Sequence, residues 1–148
     1  VIRTTLIVGF PGETTEEFNE LYKFVEKTKF DKLGVFSYSK EEGTPAEKLP
    51  NQIHGNTKKS RYNKIMLAQQ KISRQTLENK IGKQCEVLIE NMSFDKKYYI
   101  GRTKQDVPDI DGLVYIKNQG DEKEDNILNK YKKCKITDVS NYDLIGIF

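Results

Sequence analysis

Apolar residues change their spacing twice along the chain. Residues 4–8 are β-branched or apolar almost throughout, the pattern of a strand buried on both faces in a parallel sheet. Gly9 and Gly12 close that run, and Thr14 with Glu17 forms a capping box. Phe18, Leu21, Tyr22 and Val25 then recur at helical spacing, which predicts a helix over 15–28. "LGVFSY", residues 33–38, reads as a second strand, so the segment is a strand–helix–strand unit with a right-handed crossover. Two parallel strands are an incomplete sheet and the chain begins at Val1 rather than Met, so the expectation is a piece of a longer chain with further strands upstream. Residues 39–56 are rich in Gly, Pro and Asn breakers. A long helix is predicted over 57–80, with Tyr62, Ile65, Ala68, Gln69 and Ile72 on one face and Gly82 as its C-terminal stop. Five short strands follow, at 84–91, 98–104, 112–117, 132–138 and 142–148, without a helix among them. That rhythm predicts a small closed antiparallel β-barrel and a boundary near residue 81. The expected fold class is α/β plus all-β, with domains at 1–80 and 81–148.

Composition narrows the partners. The 148 residues can bury one ordinary core or two small ones. No run approaches eighteen apolar residues and the N-terminus lacks a signal-peptide layout, so the chain is expected to be soluble and cytoplasmic, with no membrane partner. The net charge of +3 is unevenly spread: residues 1–80 hold 14 Lys and Arg against 10 Asp and Glu, while residues 81–148 hold 11 against 12. A barrel that grips RNA is expected to be basic, because phosphate contacts dominate its affinity. The second half instead gathers Asp106, Asp109 and Asp111 in one turn and Asp121, Glu122, Glu124 and Asp125 in another, which fits a basic protein partner better than RNA.

Other chemistry is sparse. Cys85 and Cys134 lie far apart without CxxC or Cys/His spacing, which predicts two reduced thiols and neither a metal site nor a disulfide framework. His54, the single histidine, falls in a loop and is expected to be exposed and non-catalytic. Lys58, Lys59, Arg61 and Lys64 at a helix start read as a solvated face rather than a phosphate-binding patch. Tyr98 and Tyr99 with Arg102 fit an aromatic–basic strand face or the packing of a half-buried strand equally well. "GFPGET" offers neither GxxxxGK[ST] nor GxGxxG, so simple triphosphate or dinucleotide binding is unsupported. Its position at the C-terminal end of a parallel strand is nevertheless where α/β and barrel enzymes build their sites.

"RTTLIVGFPGET", "FDKLGVFSYSKEEGTPA", "GRTKQDVPDIDGLVYI" and "ITDVSNYDLIG" resemble, in order from Arg3 to Gly146, landmarks of the radical S-adenosylmethionine methylthiotransferases. In that family an iron–sulfur N-terminal domain precedes a radical-SAM partial barrel, followed by a small β-barrel called TRAM. The resemblance implies that residues 1–56 are the last strand–helix–strand of the partial barrel, 57–80 a connecting helix and 81–148 TRAM. "DVPDIDG", "YDLIG" and "FDKLGVFSYS" resemble the RimO-type branch, which methylthiolates an aspartate of a small-subunit ribosomal protein. A tRNA-modifying MiaB-type enzyme and a freestanding TRAM-type RNA- or protein-binding module are the alternatives.

The family's CxxxCxxC motif and its auxiliary-cluster cysteines are absent from this chain, so the resemblance implies S-adenosylmethionine and two 4Fe–4S clusters in the full-length protein and an inert fragment alone. No residue here is expected to be catalytic or a metal ligand. Carried over by resemblance, Ile7, Val8, Gly9, Phe36, Ser37, Tyr38 and Ser39 line the adenosine side of the S-adenosylmethionine pocket. Glu42, Gly43, Thr44, Arg102, Asp106, Asp109 and Asp111 are the expected substrate-binding residues, with a basic small-subunit ribosomal protein as the partner.

Overall fold

A computed structural model of the chain describes residues 1–120 and 126–148. The acidic turn of Asp121, Glu122, Glu124 and Asp125 lies outside the described residues. The elements are β1 (Arg3–Val8), α1 (Thr15–Thr28), β2 (Lys32–Ser37), a 3-10 turn (Pro45–Lys48), α2 (Gly55–Glu78), β3 (Gln84–Met92), β4 (Tyr98–Thr103), β5 (Val114–Lys117), β6 (Lys130–Val139) and β7 (Leu144–Ile147). They divide into two units, Val1–Ile72 and Ser73–Phe148. No helix among the described residues is long and apolar enough to cross a membrane.

In the first unit the capping box forms as expected: the Thr14 hydroxyl accepts from the Glu17 N–H, and the Glu17 carboxylate accepts from the Thr14 N–H. Both hydrogen bonds satisfy amides that the first helical turn leaves without partners. Lys29, at φ 52°, ends α1 by donating its N–H to the Val25 carbonyl. β1 and β2 then pair in parallel, from Arg3 opposite Lys32 to Val8 opposite Ser37. Leu6, Val8, Leu33 and Val35 pack with Phe18, Val25, Ile65 and Ile72 on one side of this pair. The buried residues of α2 include Ile65, Ala68, Gln69 and Ile72 of the predicted stripe, while Tyr62 is only partly buried.

The expectation that β1 is buried on both faces does not hold within this chain. Ile7 is 57% exposed and Phe36, its register partner, 63% exposed, because α1 and α2 cover only the opposite face.

The second unit is a closed barrel in the order β3-β4-β5-β7-β6. Val87, Ile89, Tyr99, Val114, Ile116 and Ile136 point inward and are nearly inaccessible. The five-stranded closed barrel matches the expectation, with one correction. It is not wholly antiparallel, because β5 and β7 run parallel, Val114 opposite Leu144. Parity requires this: strict up-and-down alternation around a ring of five strands cannot return to its starting direction, so one neighbouring pair must share direction. Irregular registers at Ile89/Asn91 in β3 and Ile136/Asp138 in β6 bend the two longest strands around the barrel. A Cβ on Gly101 would collide with the Leu88 carbonyl and lie 2.7 Å from the Val87 side chain, so β3 and β4 approach closely only because position 101 is bare.

Gly82 is not the stop of α2. The helix ends at Glu78, the Lys80 N–H bonds the Leu77 carbonyl, and Gly82, at φ 82°, donates to the Ile136 carbonyl. The glycine therefore turns the chain into the barrel, while Leu77 packs against the barrel core.

Candidate functional site

The loop after β1 is strapped rather than open. Gly9 donates its N–H to Glu13 Oε2 at 2.8 Å. The Arg61 guanidinium, on α2, reaches Glu13 Oε1 at 2.5 Å and the Glu13 carbonyl at 3.0 Å. Lys58, one turn earlier, lays its Cγ where a Cβ on Gly9 would sit, donates from Nζ to the Tyr38 carbonyl at 3.0 Å and lies 4.9 Å from the Tyr38 ring centre. Phe10 packs edge-on to Tyr38 at 5.2 Å. The solvated-face reading of the basic cluster is thereby corrected for Arg61 and Lys58, while Lys59 and Lys64 are exposed. Arg61 is 8% exposed and ion-paired, Lys58 is half-buried, and the Lys64 ammonium stands over the Phe18 and Tyr22 rings. An acidic residue five positions past the strand and a cation on α2 were both visible in the sequence, but their pairing depends on the α2 approach, which no local pattern specifies.

The residues assigned to the S-adenosylmethionine pocket separate into two groups. Ile7 and Phe36 share the open sheet face at the C-terminal ends of the strands, and Ser37 and Ser39 are exposed beyond them. Val8 is 0% exposed on the helix-covered side, and Gly9 is sealed by Lys58 and Glu13, so neither offers a side chain or a free amide to a ligand. Tyr38 bonds the Val8 carbonyl through its N–H, and its buried hydroxyl has no partner among the described residues. A shallow groove lined by Phe36, Ser37, Gly55, Lys58, Lys59 and Tyr62 adjoins the open face. Among the described residues no group of three or more His, Cys, Asp and Glu could hold a metal ion.

Glu42, Gly43 and Thr44 form a built turn. Gly43, at φ 81°, donates to Glu47 Oε2, and Thr44 Oγ1 donates to the Glu41 carbonyl and accepts from the Glu47 N–H. Glu42 stands exposed at the tip. Gln52 ties the next segment together through the Ala46, Glu47 and Leu49 carbonyls, a role its sequence context does not announce. His54 is exposed, and its Nδ1 accepts from the Asn56 N–H.

On the barrel, Arg102 donates from Nε to Glu90 Oε1 at 2.9 Å. Asp106 Oδ2 accepts from the Thr103 N–H and hydroxyl, the latter at 2.6 Å, and Asp111 Oδ2 accepts from the Val107 N–H at 2.7 Å. Two of the three aspartates thus shape the 106–111 turn. The third, Asp109, is exposed at φ 61° beside Ile110, which is 74% exposed. The two tyrosines divide: Tyr99 is 2% exposed in the core, while Tyr98 meets Tyr115 edge-on at 6.3 Å.

Cys85 and Cys134, far apart in sequence, are register partners on β3 and β6 with their sulfurs 3.5 Å apart. The Cys134 thiol shares a hydrogen bond with Cys85 that draws the Cys85 thiol down to about 7, helped by Lys80 and opposed by burial and Asp106. The same contact, with burial, pushes the Cys134 thiol up. Spacing arguments missed this pair because the antiparallel register alone brings it together.

Comparison with known proteins fits this geometry. Residues 81–148 match the TRAM domain model, which spans the five strands of the barrel. The chain is 60% identical over 146 residues, 99% of its length, to the ribosomal protein uS12 methylthiotransferase RimO of Alkaliphilus oremlandii. Over almost its whole length the chain is similar to RimO-type methylthiotransferases. Relatives of the same name from Clostridium perfringens (strain 13 / Type A) and Clostridioides difficile (strain 630) are 48% and 47% identical over 147 residues. The chain spans about a third of the length of these RimO relatives, 33% of the first and 32% of the other two.

Proposed function

We propose that this chain is the C-terminal part of a cytoplasmic radical-SAM methylthiotransferase that adds a methylthio group to an aspartate of ribosomal protein uS12. The observation that carries the reading is the exposed Ile7–Phe36 pair, an apolar patch at the C-terminal ends of two parallel strands whose other face is already covered. Such a face, at such strand ends, suits the interior of an α/β barrel that holds a nucleoside. The RimO relatives, by name, act on uS12.

In the full-length protein S-adenosylmethionine and two 4Fe–4S clusters supply the radical chemistry, and the cluster ligands come from outside this chain. Ile7 and Phe36 would hold the adenine ring of S-adenosylmethionine. Arg61, Glu13 and Lys58 fix the loop behind it. Without the clusters the chain alone is inert.

The TRAM barrel docks the substrate. The 106–111 turn, shaped by Asp106 and Asp111, presents Asp109 and Ile110 together, a carboxylate beside an apolar side chain, suited to a basic loop with an apolar residue. Glu42 and Arg102 contribute at most local contacts on this reading, since Arg102 is already engaged by Glu90.

The test uses the full-length enzyme with Phe36→Asp, which buries a carboxylate in the proposed pocket. Binding of S-adenosylmethionine, followed calorimetrically, should fall at least tenfold, with methylthiolation of uS12 lost in parallel and iron content unchanged. Unaltered binding contradicts the pocket assignment. Methylthiolation of tRNA instead of uS12 by the wild-type enzyme contradicts the substrate assignment.

A further inference from the structure

The cysteine pair of the barrel is a reactive site that the methyl- and sulfur-transfer reading does not use. Three observations converge on it. Cys85 and Cys134 occupy directly opposed positions on antiparallel strands, and opposed residues there have backbone separations inside the range a disulfide spans. Their sulfurs are already in contact at 3.5 Å, so bonding needs side-chain rotation rather than strand movement. Their accessibilities differ: Cys85 is half-exposed, while Cys134 is 1% exposed behind it.

We propose that Cys85 and Cys134 are an attacking and a resolving thiol, and that a hydroperoxide converts them to a disulfide linking β3 to β6. The Cys85 thiolate attacks one peroxide oxygen and the O–O bond breaks. Hydroxide leaves and takes a proton to become water, and Cys85 carries the sulfenic acid. Cys134 then attacks the Cys85 sulfur. The S–O bond breaks, the leaving hydroxide takes the Cys134 proton, and a second water departs. Two electrons pass from the thiol pair to the peroxide, and thiol reductants reverse the step.

Electrostatics support the division of labour. The charged groups facing Cys85 are Lys80, which favours its thiolate, and Asp106, which opposes it, while Cys134 shares a hydrogen bond with it. A thiolate near neutral pH that is accessible on one side is the nucleophilic partner, and a buried protonated thiol is the resolving one. The bond would enclose residues 49 positions apart in sequence, so it constrains the unfolded barrel substantially.

The experiment treats the 148-residue chain at neutral pH with one equivalent of hydrogen peroxide, alkylates the remaining thiols and maps the peptides by mass spectrometry. The expected result is coordinate loss of both thiols, a Cys85–Cys134 linked peptide in a monomeric chain, and full recovery with dithiothreitol. In Cys134→Ser the reaction should stop at a sulfenic acid on Cys85 that dimedone traps. Retention of both free thiols in the wild-type chain overturns the proposal. So does oxidation of Cys134 in preference to Cys85, or a disulfide formed between chains.

Discussion

The barrel and the parallel strand pair solve the same problem to different degrees. In the barrel every strand has two neighbours, so no backbone edge is left open. β1 and β2 have one neighbour each. Outward positions on the barrel are occupied by Glu86, Glu90, Lys117, Lys133 and Lys135, all exposed, between inward Val87, Ile89, Cys134 and Ile136. On the strand pair the alternation is equally regular, but the outward residues change from Arg3 and Lys32 at one end to Ile7 and Phe36 at the other. Both units expose apolar residues, Tyr131 on β6 as well as Ile7 and Phe36 on the strand pair, so the unpaired strand edges are what set β1 and β2 apart.

The largest expected effect strikes the strand pair. Arg61→Ala leaves the Glu13 carboxylate, whose side chain is 13% exposed, without its cation, and should cost the first unit about 3–5 kcal/mol. Chemical denaturation with a probe in each unit should show that transition move while the barrel transition stays. Next, Gly101→Ala drives a methyl into the Leu88 carbonyl and should cost the barrel about 1–3 kcal/mol. A shift of both transitions together in either variant would remove the distinction between the units. The smallest effect is at the helix cap: Thr14→Ala should cost about 1 kcal/mol. Glu17 adds a pH signature there, since the hydrogen bond from the Thr14 backbone holds its carboxyl below the ordinary 4.5. A lowered folded-state value means the contribution is present above pH 4.5 and is lost as the pH falls through the folded value. The first unit should therefore weaken in acid in the wild-type chain, and Glu17→Gln should flatten that part of its pH profile.

Local patterns were legible and long-range ones were not. The Thr14–Glu17 box and the Phe18–Val25 stripe specified α1 to its observed ends, because caps and helical spacing are written within a few residues. The five barrel strands were readable from alternation and turn residues. The parallel β5–β7 pair follows from the odd strand number once closure is assumed, but no residue in either strand announces its direction. Gly82 was misread because a glycine after a helix also serves to begin a strand, and only its bond to Ile136 decides between the two. At the site, the resemblance named consecutive residues of β1, while the two-residue period of that strand puts Ile7 and Val8 on opposite faces. A list of consecutive lining residues cannot respect a pleat. The Arg61–Glu13 pair and the Cys85–Cys134 contact join residues 48 and 49 positions apart, beyond any spacing rule.

The central claim is that the barrel is complete within this chain and that the strand pair is completed by the rest of the enzyme. Amide hydrogen exchange of the 148-residue chain, compared peptide by peptide with the full-length protein, tests it directly. Protection in β1 and β2 should rise strongly in the full-length protein, while β3 to β7 should exchange alike in both. Equal protection of β1 and β2 in the two proteins, or a barrel that gains protection as much as they do, would contradict it.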